Sequence, residues 1–300
     1  MVVAGGSGRI GRALAAELAG GGFEVVVLSR RAGAAAGDPP GVRRVAWDGR
    51  SVAAWSAELE AALGVVNLAG EDIAGGRWSA ERKRRLLDSR LASTAALVEA
   101  LRGARRRPGV LLQGSAIGYY GDRGDEPLDD GSAPGTGFLA ETCLAWERAS
   151  EPAEALGLRR VILRTGLVLA RDGGALPEMA RPFRFGVGGP LGDGRQWLPW
   201  IHLADEVGAL RFLLERAEAR GPFVLVAPEP ATNEVFSRAL ARALGRPCLL
   251  RAPAFALRLA LGEMAQMLLG GQRLAPRRLL EAGYRFRFPA LGPALADLLG

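Results

Sequence analysis

The sequence predicts an α/β fold, in which a doubly wound parallel sheet is followed by a smaller, mostly helical C-terminal lobe. One observation is that strand-like and helix-like segments alternate along most of the chain, as expected for a parallel sheet covered on both faces. The other is a glycine-rich turn between the first strand and the first helix. Glycines spaced G-x-x-G-x-x-G follow the apolar run Met1–Ala4, in the stretch Gly5-Gly6-Ser7-Gly8-Arg9-Ile10-Gly11.

This glycine turn has the physical properties of a dinucleotide site. Glycine allows a tight turn and a close approach of the backbone to a pyrophosphate. The free N–H groups and the positive end of the following helix then face the negative charge. We therefore expect a Rossmann-type sheet, with cofactor contacts from Gly5, Ser7, Gly8, Arg9, Ile10 and Gly11. An ordinary tight turn between strand and helix is the alternative.

Apolar runs and helical spacing predict the other elements in order. Ser79 is a plausible N-cap, because Glu81 lies in the first turn of the helix that follows it. The further predicted strands are Phe23–Leu28, Val42–Trp47, Gly64–Leu68, Val110–Gln113, Arg160–Leu163 and Phe223–Val226. The predicted helices are Arg12–Ala19, Ser79–Leu101, Gly137–Leu156 and Val207–Glu218.

The alternation breaks down in two regions. Residues Leu169 to Trp197 are rich in glycine and proline, which is typical of a loop region that shapes a pocket. From Thr232 onward, helices are separated by prolines. We therefore expect a nucleotide-binding domain over residues 1–228, with 169–197 lining a substrate pocket, and a C-terminal lobe over 229–300.

Composition excludes several other classes of protein. No basic leader and no uninterrupted apolar run of about 18 residues is present, so we expect a cytoplasmic protein with no membrane partner. Cys143 and Cys248 fit no ligand spacing, which argues against a metal site. The net charge is +7, but the basic residues are spread along the chain and clusters such as Arg105–Arg107 are typical of solvated helix faces. No nucleic-acid partner is expected.

The end of the second strand indicates which cofactor is bound. An NAD site places an acid there for the ribose 2′-hydroxyl, whereas this chain has Ser29-Arg30-Arg31. A hydroxyl and two guanidiniums suit a 2′-phosphate, because arginine binds phosphate oxygens in a bidentate fork. NADP(H) is therefore predicted, with Ser29 and Arg30 as ligands and Arg9 as a further contributor. The alternative for Arg31 is that it faces water.

The chain resembles a known family, the extended short-chain dehydrogenases/reductases, in their epimerase-like branch with its own C-terminal domain. The resemblance implies an NADP-type nucleotide with Leu68 and Ala69, followed by Gly70, near its phosphates and ribose, Arg90 beside it and Val168 near the nicotinamide. The matching motifs are G-x-x-G-x-x-G, Asn67 to Glu71, Arg77-Trp78, Ser89-Arg90, Gly114 to Gly121, Trp146-Glu147, Arg164 to Gly166, Gly188 to Gly192, Gly194 to Trp197, Trp200 to His202 with Asp205, and Pro276 to Phe288.

The catalytic dyad typical of the wider superfamily is missing. Active members carry Tyr-x-x-x-Lys after the fifth strand, where the lysine lowers the pKa of the tyrosine. Alignment on Glu147 places Leu139 and Cys143 at these positions. Independently of alignment, none of the three tyrosines has a lysine four residues later, and Lys83 is the only lysine.

Few candidates remain for acid–base chemistry and substrate binding. Ser115, at the end of the fifth strand, is either a substrate-polarising hydroxyl or a structural serine. Tyr119 and Tyr120 either offer a phenol from the following loop or pack as aromatic side chains. Arg195, with Gln196 and Trp197, lies where extended members contact the anionic part of a substrate.

Two functions are consistent with these residues. The favoured one is an NADP(H)-dependent oxidoreductase or epimerase acting on a small polar substrate, with nucleotide-linked compounds among the candidates. The other is a catalytically inactive NADP(H)-binding sensor or scaffold that reports occupancy to a partner. The sequence gives no preference between a monomer and a homodimer.

Overall fold

Short apolar runs form the strands of the computed structural model, which describes residues 1–30, 33 and 38–300. The strands are β1 (Val2–Ala4), β2 (Val25–Ser29), β3 (Val42–Ala46), β4 (Gly64–Asn67), β5 (Val110–Ala116), β6 (Pro127–Leu128), β7 (Arg159–Thr165), β8 (Leu167–Leu169), β9 (Trp200–His202), β10 (Gly221–Leu225) and β11 (Arg273–Leu274). The α-helices are α1 (Arg9–Gly20), α2 (Ala80–Gly103), α3 (Phe138–Ala149), α4 (Pro152–Ala155), α5 (Ala175–Arg184), α6 (Leu203–Glu215), α7 (Asn233–Ala243), α8 (Ala254–Leu261), α9 (Gln266–Leu269), α10 (Arg277–Glu281) and α11 (Leu291–Leu299). Short 3₁₀ helices lie at Ala54–Leu59, Ile117–Tyr120 and Gly262–Ala265.

Seven strands form one parallel sheet in the order β10-β7-β5-β4-β1-β2-β3. The chain winds in one direction from β1 to β3 and in the other from β4 to β10, so the order reverses between β1 and β4. Ligands of open α/β sheets bind outside the carboxyl ends of the strands at this switch point. The predicted doubly wound α/β class is confirmed, and the switch point locates the candidate site next to Ala4 and Asn67.

Each face of the sheet is covered by helices, as its apolar strands require. On one face, Leu14 and Leu18 of α1 pack with Leu210 and Leu213 of α6 over the strands. On the other face, the buried residues of α2 include Leu97 and Leu101, in the same core as Trp55.

Several predicted elements begin or end at other residues in the structure; β5 continues to Ala116 and α6 begins at Leu203. The helix predicted over Gly137–Leu156 divides into α3 and α4, because Pro152 has no N–H to continue the first helix and instead lies in the opening turn of the second. Strand β7 extends to Thr165, two residues beyond the prediction. Ser79 caps α2 as predicted, since its side chain accepts a hydrogen bond from the Arg82 N–H.

The predicted loop region over 169–197 contains helix α5 and packs with the C-terminal residues. Leu176 and Phe183 of α5 share one core with Phe236 of α7 and Leu295 of α11. Strand β11 also pairs with β6, through Leu274 and Leu128. The division at residues 228 and 229 stays a prediction. Among the residues described, no helix is both long and apolar enough to cross a membrane.

Candidate functional site

The glycine turn touches the loop that follows β4. Gly5 has φ +75°, and a Cβ atom placed on it would lie 2.6 Å from the carbonyl carbon of Leu68 and 2.8 Å from the backbone nitrogen of Ala69. Position 5 therefore requires glycine for two reasons: its backbone is left-handed, and a side chain would collide with the neighbouring chain segment. The contact brings Gly5, Leu68 and Ala69, three of the predicted cofactor ligands, together at the switch point.

The turn leaves the start of α1 open to a ligand. Gly8 is the N-cap of α1, and no side chain caps this end of the helix. The first N–H groups of a helix have no partner within the helix, so they suit an anion such as a pyrophosphate. Gly11 allows the close packing behind them, because a Cβ there would lie 2.6 Å from the carbonyl oxygen of Gly5.

A buried amide holds the loop after β4 in place. Asn67 accepts a hydrogen bond from the Ala69 N–H at 3.2 Å and donates to Thr94 and Gln113, each at 3.0 Å. Asn67 is fully buried, so these bonds fix the path of residues 68–70. The sequence marks Asn67 only as part of a motif, because its partners on α2 and β5 lie far away in the chain.

Arg90 reaches the same loop from α2. Its guanidinium donates to the backbone oxygen of Glu71 at 3.1 Å and lies over the ring of Trp146. A Cβ on Gly70 would lie 3.2 Å from Arg90 Cγ, so the predicted ligands Gly70 and Arg90 are in contact. Burial lowers the pKa of Arg90.

The predicted 2′-phosphate residues lie at the end of β2. Ser29 is buried and is the last residue of this strand, and Arg30 is exposed directly after it. Arg31 lies outside the described residues. The side chain of Arg9 donates to the backbone oxygen of Asp172 at 3.1 Å, so it contacts the segment that leads into α5. Val168 is half-buried in β8, where it pairs with Ile201.

Ser115 belongs to a buried polar network at the carboxyl ends of β5 and β7. Its hydroxyl donates to Glu147 Oε1 at 2.6 Å, and Arg164 holds both oxygens of the Glu147 carboxylate at 2.9 Å. The sheet register places Ser115 directly opposite Arg164. Burial disfavours the charge on Arg164, but the hydrogen bonds and charge of Glu147 outweigh it and raise the pKa of Arg164. The two hydrogen bonds from Arg164 therefore fix the position of the carboxylate next to the serine.

The two tyrosines after β5 pack around Arg164. Its guanidinium lies 3.4 Å from the ring centre of Tyr119 and donates to the hydroxyl of Tyr120 at 3.0 Å. Tyr120 is fully buried, and this burial raises the pKa of its phenol. A buried phenol that keeps its proton so firmly is a poor proton donor at neutral pH. The geometry favours the packing role that the sequence leaves open for Tyr119 and Tyr120.

Leu139 and Cys143, which the alignment on Glu147 places at the expected dyad positions, pack against the backbone of Gly118. A Cβ on Gly118 would lie 3.1 Å from Leu139 Cβ and 3.7 Å from Cys143 Sγ. Burial, followed by the charge of Glu147, raises the pKa of Cys143 to about 11, so its thiol stays protonated. Neither residue replaces the tyrosine or the lysine chemically.

The three predicted substrate residues differ in their surroundings. Arg195 is exposed. Gln196 donates to the backbone oxygens of Leu191 and Leu268, and its own buried Oε1 has no partner. Trp197 donates to Asp125 at 2.7 Å. Gln196 therefore ties this segment to the C-terminal lobe, and Trp197 ties it to the loop that contains Asp125. Arg195 is left accessible.

His202 and Asp205 anchor the C-terminal segment to α6. His202 caps this helix through Nδ1 and stacks on Phe288 at a ring distance of 3.9 Å. Asp205 accepts hydrogen bonds from the backbone N–H groups of Arg287 and Phe288. His202 thus has a structural role, as the cap of α6 and a stacking partner of Phe288.

Glu206 makes the stability of the protein depend on pH. It is fully buried, accepts a hydrogen bond from Thr165 at 2.8 Å, and burial raises its pKa to about 8. The folded state therefore retains a proton that the unfolded chain releases near pH 4.5, so the free energy of unfolding falls as pH rises from 4.5 to about 8. Glu206→Gln should remove this decrease, amounting to roughly 2–4 kcal/mol at pH 7. Urea denaturation of the native protein and of Glu206→Gln at several pH values measures this difference. If the free energies of unfolding of the two proteins changed in parallel with pH, the prediction would be contradicted.

Family models and relatives match the chain along nearly its whole length. Residues 1–226 match the model of the NAD dependent epimerase/dehydratase family, and residues 252–298 match a domain of unknown function, DUF1731. The epimerase family protein ML0860 of Mycobacterium leprae is 39% identical over 99% of this chain and 94% of its own.

Two solved structures have the same architecture. The human epimerase family protein SDR39U1 (isoform 2), solved with NADPH, has a TM-score of 0.89 and 36% identity, covering 99% of this chain and 98% of its own. A nucleoside-diphosphate sugar epimerase from Corynebacterium glutamicum has a TM-score of 0.80 and 34% identity, covering 100% of this chain and 57% of its own. The chain belongs to the NAD dependent epimerase/dehydratase family and carries the C-terminal domain of unknown function.

Proposed function

We propose that this protein is an NADP(H)-dependent oxidoreductase or epimerase whose proton-transfer group is Ser115, backed by Glu147. The observation that carries the proposal is the 2.6 Å hydrogen bond from Ser115 to the buried Glu147 carboxylate at the carboxyl ends of β5 and β7. The human relative solved with NADPH supports the choice of cofactor.

The residues present fit an NADP-type nucleotide. At the close contact of Gly5 with Leu68 and Ala69 the chain presents backbone atoms, and no side chain from Gly5 blocks a pyrophosphate. The uncapped start of α1 supplies N–H groups for its negative charge. Arg30 and Ser29 would hold the 2′-phosphate, and Arg90 and Val168 would line the rest of the nucleotide. When bound, the nicotinamide of such a cofactor supplies or accepts a hydride.

Arg30 should decide the preference for NADPH over NADH. Arg30→Ala removes a guanidinium that suits a phosphate, so we expect NADPH affinity to fall about tenfold or more while NADH affinity stays unchanged. Fluorescence titration of both cofactors measures this. Arg50→Ala, which removes an exposed arginine from a turn beyond β3, is the matched control and should change neither affinity.

The hydrogen-bond directions assign a role to each member of the network. Because the Ser115 hydroxyl already donates to Glu147, its lone pairs face away from the carboxylate and can accept a proton from a substrate hydroxyl. As that proton arrives on Ser115, the serine proton passes to Glu147, and the reverse sequence would protonate a carbonyl oxygen. Arg164 orients the carboxylate through its two hydrogen bonds.

The exposed side chain of Arg195 supports a nucleotide-linked substrate. Arginine is well suited to a diphosphate. The relative from Corynebacterium glutamicum, a nucleoside-diphosphate sugar epimerase, supports this substrate class.

Deuterium transfer tests the catalytic proposal. The protein is incubated with deuterated NADPH and a panel of nucleotide sugars and small carbonyl compounds, and the products are analysed by mass spectrometry. Ser115→Ala should slow the transfer at least about tenfold with NADPH affinity unchanged. Tyr119→Phe and Tyr120→Phe are the controls and should retain the rate. Loss of transfer in either tyrosine variant, with Ser115→Ala unaffected, would restore the phenol as proton donor.

The alternative function is an NADP(H)-binding sensor or scaffold without chemistry. The observation that favours it is the packing of Leu139 and the protonated Cys143 thiol at the positions of the missing dyad. Tight NADPH binding without deuterium transfer to any compound of the panel would favour this function over a reductase acting on those compounds.

A further inference from the structure

Two segments of the chain carry the whole excess of positive charge. Residues 179–192 and 235–262 contain seven arginines and no acidic residue, while the rest of the chain has 32 basic and 32 acidic residues. The segments are neighbours in space, since Leu249 N–H donates to the Gly188 oxygen and Ala252 N–H to the Pro190 oxygen. We call the exposed residues of these two segments the basic-apolar surface.

The same surface carries most of the exposed apolar side chains. Eleven large apolar residues are exposed in the described part of the chain, and seven of them lie here. Exposed apolar side chains gathered in one region are typical of an interaction site. The seven are Phe185, Val187, Val235, Leu249, Leu250, Phe255 and Leu259.

The charge of the basic-apolar surface is poorly neutralised. Glu234, at its border, pairs with Arg238 and Arg251, each at 2.7 Å. The other five arginines make no ion pair with any residue that the structure describes. They are Arg181, Arg184, Arg242, Arg246 and Arg258.

Helix α8 leaves much of its apolar surface exposed. None of its residues is buried, and Phe255 and Leu259 are 73% and 78% exposed. These two residues are four apart and therefore share a face of the helix, with Arg258 beside them. Burying these exposed apolar side chains against another surface would stabilise the helix.

We propose that the basic-apolar surface docks on an anionic lipid membrane, with its phenylalanine and leucine side chains at the headgroup boundary and its arginines on lipid phosphates. Apolar residues next to unpaired arginines are the combination that binds such an interface. A second copy of the chain fits poorly, because two surfaces of the same charge would face each other. The expectation of no membrane partner rested on the lack of a long apolar run, which concerns spanning a bilayer and not lying on it.

Vesicle flotation tests the proposal with the full chain. The probes are phosphatidylcholine vesicles and vesicles of phosphatidylcholine and phosphatidylserine at a ratio of about 7 to 3. We expect binding to the anionic vesicles, weakened by added salt, and little binding to phosphatidylcholine alone.

Two pairs of variants separate the charged contribution from the apolar one. Arg242→Gln with Arg246→Gln should weaken vesicle binding about thirtyfold, at about fivefold for each arginine. Phe255→Ser with Leu259→Ser should weaken it by at least about tenfold. The matched controls remove two exposed arginines or two exposed apolar side chains elsewhere, in Arg50→Gln with Arg84→Gln and in Val52→Ser with Leu63→Ser, and should bind as the native protein does. Unchanged NADPH affinity shows that every variant folds.

Three results would overturn the proposal. Equal binding by the surface variants and their controls would show that this surface is not the docking site. Failure to float with anionic vesicles, combined with binding to poly-glutamate that is lost in Phe255→Ser with Leu259→Ser, would indicate an acidic protein partner. A dimer seen by sedimentation and lost in the same variant, without vesicle binding, would assign the surface to a second copy of the chain.

Discussion

Gly5→Ala should weaken NADPH binding about a hundredfold, which corresponds to roughly 2.8 kcal/mol. The added Cβ would lie 2.6 Å from backbone atoms of Leu68, so the turn and the loop after β4 must move apart. Since φ at Gly5 is +75°, alanine is also strained there and the free energy of unfolding should fall by roughly 2–4 kcal/mol. Fluorescence titration with NADPH and urea denaturation measure the two effects.

Gly22→Ala is the matched control for this variant. Gly22 also has a positive φ, +85°, but nothing lies within 4 Å of a Cβ placed on it. The control should therefore lose about 1 kcal/mol of stability through backbone strain alone and bind NADPH normally. If both variants kept native affinity, the glycine turn would not be part of the nucleotide site.

Arg164→Leu should lower the free energy of unfolding by about 3–5 kcal/mol. The substitution leaves the buried Glu147 carboxylate with the Ser115 hydroxyl but without its cation, and it removes the donor to Tyr120. Urea denaturation measures the loss.

Two comparisons separate this effect from the removal of any arginine. Arg102→Leu breaks an exposed ion pair with Glu99 and should change stability by no more than about 0.5 kcal/mol. Adding Glu147→Leu to Arg164→Leu should restore part of the loss, because no buried charge is then left unpaired. A double variant less stable than Arg164→Leu would contradict this account of the network.

The order of strands and helices could be predicted because its signals are local. The apolar runs became β1, β2 and β4, each within two residues of the prediction, and Ser79 capped α2, whereas β5 continued three residues further than predicted. Helix α5 and the short pairing of β8 with β9 were missed. Their stability comes from packing against α7 and α11, which a pattern over neighbouring residues does not contain.

The candidate site was predicted in its parts but not in its connections. The sequence proposes Ser115 as a substrate-polarising hydroxyl and Tyr119 or Tyr120 as a phenol from the following loop, each with a structural role as the alternative. In the structure, Arg164 approaches both tyrosines and holds Glu147, which leaves Ser115 as the hydroxyl next to a carboxylate. No short-range signal distinguishes these residues, because their partners are on different strands and helices.

The sequence by itself determined the α/β class, the glycine turn and the absence of a Tyr-x-x-x-Lys dyad, since each depends on spacing between near neighbours or on a count of residues. Only the tertiary structure decided that Glu147 and Arg164 surround Ser115, and that the excess arginines lie beside exposed apolar residues. The register of parallel strands and the packing of distant helices bring these groups together, and both depend on the whole fold.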